Sequence, residues 1–326
     1  MSAPKYRLVT RSDFDGLVCA ALLRQLDLIE DVKFVHPKDM QDGKIEITGQ
    51  DITTNLPYVK EAHLAFDHHL SETLRIGEAK HNHVIDANAP SAARVVFDYY
   101  GGFDVFPRAW NEMMLAVDQA DSAQYSRDEI LKPTGWTLLN FLMDARTGLG
   151  RFHSFRVSNY HLMMELIDFC RHRTIADVLA HPDVVERVEL FAQSEAQFVD
   201  QIRRCSKIYG DVIVLDLRQE ETIFPGNRFM IYAMHPQCTL SVHALWGLKQ
   251  MNTVFAVGKS IINRSSLANI GELMLSYEGG GHENAGTCQV PNNEAAPILK
   301  KILSQLNDAA KFSDNIANQP VHRAAG

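Results

Sequence analysis

Asp67-His68-His69 is the stretch that most constrains this chain. It follows Leu64-Ala65-Phe66, which reads as a buried strand with a polar end. A carboxylate and two imidazoles at the end of a strand are costly to hold near apolar surface, and a metal ion is one of the few adequate partners for them. Taken alone, a His-His pair is more often a loop with solvated histidines. The added weight comes from acidic residues upstream that the same reading carries to strand ends.

Tyr6 to Arg11 reads as the first strand, followed at once by Ser12-Asp13-Phe14-Asp15-Gly16 and a helical apolar pattern from Leu17 to Leu26. Asp13 and Asp15 therefore fall on a strand-to-helix turn. An N-cap there needs only one carboxylate, and two carboxylates so close repel unless a cation lies between them. Val32 to His36 reads as a second strand. Ile45-Glu46-Ile47 leads to a third that ends at Asp51, Leu64 to Phe66 forms a fourth, and Val84 to Asp86 a fifth. Strands alternating with helices predict an α/β fold with a mostly parallel sheet, and such sheets bind ligands at the carboxyl ends of their strands. Asp13, Asp15, Asp51, Asp67 and His68 are all predicted at that edge.

Pro90 to Gly102 reads as a helix that starts at proline and stops at glycine. Ala109 to Val117 is another, ending in Asp118-Gln119-Ala120-Asp121-Ser122, from which Asp121 is assigned to the metal centre ahead of Asp118. Residues 135–209 read mostly as helix, and the amphipathic stretch 189–209 reads as a rigid connector, since it lacks Gly, Ser and Pro clusters. A β-rich section starts at Asp211, with strands expected at Asp211–Asp216, Phe229–Ala233, Leu240–Trp246 and Thr253–Arg264, then a helix from Leu267 to Tyr277. Gly279-Gly280-Gly281-His282 follows and reads as a loop whose successive N–H groups form an anion-binding nest, with His282 as an added donor. Arg264-Ser265-Ser266 is a second anion candidate, because arginine grips phosphate through two parallel hydrogen bonds. A strand near Thr287 to Val290 and a last helix from about Asn293 to Leu306 close the section. The boundaries are then 1–188, a connector 189–209, a smaller domain 210–310 and a loose tail 311–326.

The bulk numbers limit the classes of function. A chain of 326 residues has room for about two domains. No apolar run approaches the ~18 residues of a membrane span, so no membrane partner is expected. The net charge of −8 disfavours a track for long duplex nucleic acid while permitting a local anion pocket. Five scattered cysteines, none in a Cys-x-x-Cys pair, and an amino terminus without an apolar signal core point to the cytoplasm and away from a structural zinc site. Gly258-Lys259-Ser260 is not a P-loop, since Thr253 stands where the first glycine is needed. No Gly-x-Gly-x-x-Gly fingerprint supports a dinucleotide oxidoreductase.

Asp13-Phe14-Asp15-Gly16, Asp51, Asp67-His68-His69, Asp121, Arg264-Ser265-Ser266 and Gly279-Gly280-Gly281-His282 together resemble the DHH/DHHA1 phosphoesterases, a family with oligoribonuclease and exopolyphosphatase-like members. The resemblance implies a parallel-sheet DHH domain joined by a helical connector to a smaller α/β DHHA1 domain that holds the substrate end. It implies two Mn²⁺ ions with Asp13, Asp15, Asp51, His68 and Asp121 as ligands, Asp51 bridging, and catalytic roles for Asp67 and His69. Arg264, Ser265, Gly280, Gly281 and His282 would bind substrate. One departure stands out: many members carry a histidine at the place of Arg11. One of the two ions is then expected to bind weakly, and Arg11 to contact phosphate.

The activity implied is Mn²⁺-dependent hydrolysis of a phosphodiester in a short oligonucleotide or linear dinucleotide, by two-metal activation of water. Two alternatives remain within the family, an exopolyphosphatase-like enzyme and a nucleotide bisphosphate phosphatase. A third is a nucleotide-binding protein with a decayed metal site. Homodimerisation stays open.

Overall fold

Residues 4–317 are described in a computed structural model. The chain divides into two compact units, the first ending at Gln193 and the second beginning at Ser194. In the first, five strands form a wholly parallel sheet: β1 (Tyr6–Arg11), β2 (Ile29–Val35), β3 (Asp51–Thr54), β4 (Leu64–Asp67) and β5 (His83–Ile85), in the order β2-β1-β3-β4-β5. Its helices are α1 (Phe14–Gln25), α2 (Pro37–Gln41), α3 (Leu70–Ile76), α4 (Ala92–Tyr99), α5 (Asn111–Asp121), α6 (Arg127–Leu131), α7 (Gly135–Met143), α8 (Asn159–His172) and α9 (Ile175–Leu179). The long α10 (Pro182–Cys205) runs across the boundary between the units.

The parallel sheet is covered on both faces, and strand alternation shows why. Leu8 packs with Ile52 and Phe66 under α1, whereas its neighbour Val9 joins Val35, Leu56 and Met40 on the opposite face. α1 is buried along Phe14 to Leu23, because α4, α5 and α8 pack around it against the sheet. An apolar helix without a polar stripe is what such a position requires.

Two sequence expectations change here. Ile45–Ile47 is not a strand; β3 begins at Asp51 instead of ending there, since Ile52, Thr53 and Thr54 pair with Leu8, Val9 and Thr10 of β1. The α4 helix starts at Ala92 under a Ser91 cap that accepts from Arg94 N, so Pro90 lies before the cap and outside the first turn.

The second unit holds β6 (Ser206–Tyr209), β7 (Val212–Asp216), β8 (Leu240–Trp246), β9 (Thr253–Lys259), β10 (Gly280–His282) and β11 (Ala285–Val290), in the order β10-β11-β9-β8-β7-β6. Only β7 and β8 pair in parallel. Helices α11 (Met230–Met234), α12 (Ile270–Leu275) and α13 (Ala295–Ala317) complete it, around a core that includes Val242, Phe255, Met274 and Ile302. Phe229–Ala233, expected as a strand, is mostly α11: the Asn227 side chain accepts from Phe229 N and turns the chain into a short helix. A brief apolar run carries no periodicity that separates the two conformations. The strand expected to reach Arg264 stops at Lys259. The last helix continues to Ala317, well into the stretch read as a tail, while 318–326 lie outside the described residues. No helix among the described residues is long and apolar enough to cross a membrane.

Gly16 decides how tightly the chain turns from β1 into α1. A Cβ there would lie 2.0 Å from the Arg11 carbonyl oxygen and 2.7 Å from Thr10 Oγ1. Gly16→Ala is expected to destabilise the protein by about 1–3 kcal/mol through overpacking. Urea unfolding measures this, and an unchanged midpoint would show that the turn relaxes freely.

Candidate metal centre

Three chain segments bring acids to the carboxyl edge of the parallel sheet. The first is the β1–α1 turn. Asp13 caps α1, accepting from Gly16 N at 3.0 Å, and its other oxygen meets Arg11 Nε at 2.8 Å. Asp15 lies within the first turn of α1, only 2% exposed, and accepts from Ala92 N (3.0 Å) and Ala93 N (2.7 Å) at the start of α4. Those are unpaired helix-start amides, which favour an anion.

The second segment is the end of β4. Asp67 is 1% exposed, and its Oδ1 accepts from His68 N at 2.8 Å and from His69 Nδ1 at 2.7 Å. His68 gives its Nδ1 proton to the Ala89 carbonyl at 3.2 Å. That bond fixes the tautomer and leaves Nε2 as the lone-pair nitrogen of the neutral ring. The third segment is the end of α5. Asp121 Oδ2 stands 2.8 Å from His68 Nε2, although that nitrogen has no aligned hydrogen bond. Asp118 is engaged elsewhere, by Ser91 Oγ (2.8 Å) and Arg94 Nε (3.0 Å).

One ligand atom each from Asp15, His68 and Asp121 falls within 4.8 Å of the others, so these three form a group able to hold a metal ion. The residues fit such an ion. The buried Asp67 Oδ2 and His68 Nε2 have no hydrogen-bond partner among the described residues, and carboxylate with imidazole suits Mn²⁺, Fe²⁺ or Zn²⁺. Charge points the same way. Burial, with Asp121 alongside, pushes the Asp15 carboxyl up to about 8. Burial works to lower the His68 imidazole, but Asp121 and Asp15 beside it raise it to about 9. Burial raises Asp13 as well. Burial also opposes the charge on Asp121, yet contact with His68 leaves its carboxyl below the ordinary value.

Asp51 requires a correction. It stands at the amino edge of the sheet, the opposite end from Asp15, paired with Arg7 Nε at 2.6 Å and Thr48 N at 2.7 Å. The residue that leaves β3 at the carboxyl edge is Asn55, 1% exposed, with Nδ2 3.5 Å from Asp13 Oδ1 and a buried Oδ1 that lacks a partner among the described residues. Its φ of 54° is left-handed, which asparagine tolerates better than most residues. The signal was the β-branched run Ile52-Thr53-Thr54 stopping at Asn55. Arg146 was also missed. Its Nε meets Asp144 at 2.7 Å, and its charge is felt by Asp13 and Asp121, but nothing in sequence spacing announces it.

The substrate candidates of the second unit lie at one end of β9 and β11. Ser265 Oγ donates to Asn263 Oδ1 (2.8 Å), and Arg264 Nε to the Ile261 carbonyl (3.1 Å). The triple glycine is not a nest of successive N–H groups; Gly280–His282 is an edge strand paired with β11. Glycine is needed there for close approach: a Cβ on Gly279 would sit 2.2 Å from the Thr287 carbonyl oxygen, and one on Gly281 2.4 Å from that of Ala285. Gly280 faces open space. His282 Nδ1 accepts from Asn284 N at 3.2 Å.

The whole chain is similar to a solved pGpG-specific phosphodiesterase, PggH of Vibrio cholerae, at 59% identity over 94% of this chain and 100% of that one, with a TM-score of 0.83. The chain belongs to the DHH/DHHA1 phosphoesterase family. It is a metal-dependent phosphoesterase, a hydrolase. RecJ from Thermus thermophilus, solved with Mn²⁺, shares the fold at 15% identity and a TM-score of 0.52, over 95% of this chain and 52% of that one. No family model and no curated relative matches the chain.

Metal affinity in this DHH/DHHA1 protein should rise with pH. Ligation needs Asp15 ionised and His68 neutral, whereas protons occupy both below about 8 and about 9 respectively. Mn²⁺ binding is therefore expected to release protons at pH 7 and to tighten until about pH 9. Calorimetry in two buffers of different ionisation enthalpy checks this; an affinity flat from pH 6 to 9 would refute it.

Proposed function

We propose that the protein hydrolyses the phosphodiester bond of a short linear dinucleotide, of which pGpG is the leading case, with Mn²⁺ as the working metal. The observation that carries this reading is the end-to-end similarity to a pGpG-specific phosphodiesterase, joined to the Asp15–His68–Asp121 group at the sheet edge. Asp15, His68 Nε2 and Asp121 would hold the ion, which would supply Lewis-acid activation of the phosphoryl group and of a water.

The chain's own residues do the rest. Asp67 locks His69 through Nδ1, so the opposite ring nitrogen is the one that faces a proton-transfer partner. Burial disfavours the His69 cation, yet the Asp67 contact leaves its pKa raised, which favours the protonated ring that a general acid for the leaving oxygen needs. Arg11 and Arg146 offset the charge of the phosphate. Arg264, Ser265, Gly280, Gly281 and His282 are assigned to the terminal phosphate of the substrate, where charge-assisted bonds fix its register.

The test is a screen with Mn²⁺ across pGpG, other dinucleotides, nucleoside bisphosphates and polyphosphate. Release of mononucleotides from dinucleotides, with polyphosphate left intact, is the expected result; the reverse selectivity would overturn the reading. Asp67→Ala should lower kcat at least about a hundredfold with an unchanged circular dichroism spectrum. Arg264→Ala should act mainly on KM.

Metal stoichiometry is a separate expectation. Asp13 is held by Arg11, Asp51 is at the far edge, and the end of β3 carries the neutral amide of Asn55. One Mn²⁺ per chain should therefore bind tightly, and a second only at higher concentration as Asp13 leaves Arg11. Titration followed by electron paramagnetic resonance measures it, and two equal tight sites would contradict it.

A further inference from the structure

The start of α4 breaks a local rule. Ser91 caps the helix, its Oγ accepting from Arg94 N at 3.0 Å, and a helix capped this way commonly carries Glu or Gln at its third position. Here that position is Arg94, and α4 has no acidic residue in its first turn. A cation at the amino end of a helix opposes the helix dipole. The acids come instead from two other helices. Asp15 of α1 takes Ala92 N and Ala93 N. Asp118 of α5 takes Arg94 Nε (3.0 Å) and Nη2 (2.5 Å) on one oxygen and Ser91 Oγ (2.8 Å) on the other. Ser91 is fully buried.

These contacts reach every member of the metal group. Asp15 is fixed by the two amides that follow Ser91. His68 is fixed by the Ala89 carbonyl, which is joined to Ser91 through Pro90, whose ring restricts the backbone between them. Asp121 ends α5 three residues after Asp118, so the two are neighbours along one side of that helix. One tie, from Asp118 to Ser91 and Arg94, therefore sets the spacing between the end of α5, which carries Asp121, and the start of α4, which holds Asp15 and lies next to the anchor of His68. That tie has a force to resist. Asp121 disfavours the charge on Asp15, and two carboxylates of like sign relieve their repulsion by drawing apart.

We propose that Asp118 is a positioning residue of the metal centre: through Ser91 and Arg94 it holds the start of α4 against the end of α5, and so keeps Asp15, His68 and Asp121 at the separation that a single divalent ion requires. Asp118 itself touches no reacting atom. The inference rests on these three residues being the ligands, as proposed above, and is independent of which phosphoester is cleaved. It gives a reason for an arginine at the third position of α4, where the helix alone would favour an acid. The arginine draws in a carboxylate from α5, and the metal centre depends on that contact between helices.

Mn²⁺ affinity of the folded full chain, read by electron paramagnetic resonance, tests this without turnover. Asp118→Asn keeps the shape and an oxygen for Ser91 but turns an N–H toward Arg94. Arg94→Met keeps the stem that lies over Phe97 and removes the charge. Each should weaken Mn²⁺ binding about tenfold, as expected of residues that orient metal ligands. The double variant should also lose about tenfold rather than a hundredfold, because both changes break the same tie. Arg156→Met is the control. It removes another ion pair of the first unit, with Asp183, on none of α1, α4 or α5, and should leave Mn²⁺ affinity at the wild-type value. Asp15→Asn should abolish tight binding. Wild-type affinity in Asp118→Asn, an equal loss in Arg156→Met, or additive losses in the double variant would overturn the positioning role while leaving the ligands in place. Tight binding kept by Asp15→Asn would remove the ligand set and the positioning role with it. Neither result bears on the choice of substrate, which the screen of phosphoesters decides.

Discussion

Four carboxylates, Asp13, Asp15, Asp67 and Asp121, stand at one edge of a sheet whose interior is apolar, and the first unit is arranged around the cost of keeping them there. Desolvating one unpaired carboxylate costs several kcal/mol, and neighbours of like sign add to that. Each carboxylate is met by a different device. Asp13 has a helix-cap amide and Arg11, Asp15 has two amides at the start of α4, Asp67 has two backbone amides and the His69 ring, and Asp121 has His68. The parallel sheet makes this convergence feasible, because every strand delivers its following residue to the same edge. A cation at the Asp15–His68–Asp121 group replaces the protons that otherwise offset the remaining charge.

Much of this edge was legible because charge and strand periodicity coincide. Tyr6–Arg11 and Leu64–Phe66 are strand-forming runs with acids at or just past their ends, and the two strands stop at Arg11 and Asp67. The reading failed at Asp51 for a physical reason. An acid beside an apolar run marks an end of a strand, but not which end. Asp51 pairs with Arg7 at the start of β3, and the carboxyl end falls to an amide, Asn55. Direction had to come from register with β1, a long-range fact that local patterning does not hold. The glycine triplet failed differently. Three glycines permit either open loops or crowded strands, and the β11 backbone decides for crowding at Gly279 and Gly281. Arg146 was invisible for a simpler reason: it bears on the edge only through Asp13 and Asp121, both distant in sequence.

The two edges of the sheet divide the work. At the amino edge, Asp51 ties Arg7 to the turn before β3, and its oxygens are taken by Arg7 and by Thr48 N and Oγ1. Such a carboxylate is fully occupied and contributes to the fold. At the carboxyl edge, by contrast, Asp67 Oδ2 and Asn55 Oδ1 are buried without partners among the described residues. Buried acceptors left without donors are uncommon in proteins and gather where a ligand completes them. The same contrast separates Asp118 from Asp121. Three residues apart on α5, one is consumed by Ser91 and Arg94 while the other faces His68.

An acidic protein that works on an anionic substrate must overcome its own field. The chain carries a net charge of −8, and that repulsion acts on a polyanion in proportion to its length. A substrate with two or three phosphates feels mainly its immediate surroundings, where a bound divalent ion, Arg11 and Arg146 would offset the carboxylates of the edge, while acids beyond a Debye length of about 8 Å are screened. A long strand or polyphosphate gains affinity by releasing counterions along a basic track, and a chain of net charge −8 has few cations to spare for one. The net charge therefore disfavours long polyanions relative to small phosphorylated molecules, while the acids of the sheet edge concentrate cations in a small volume.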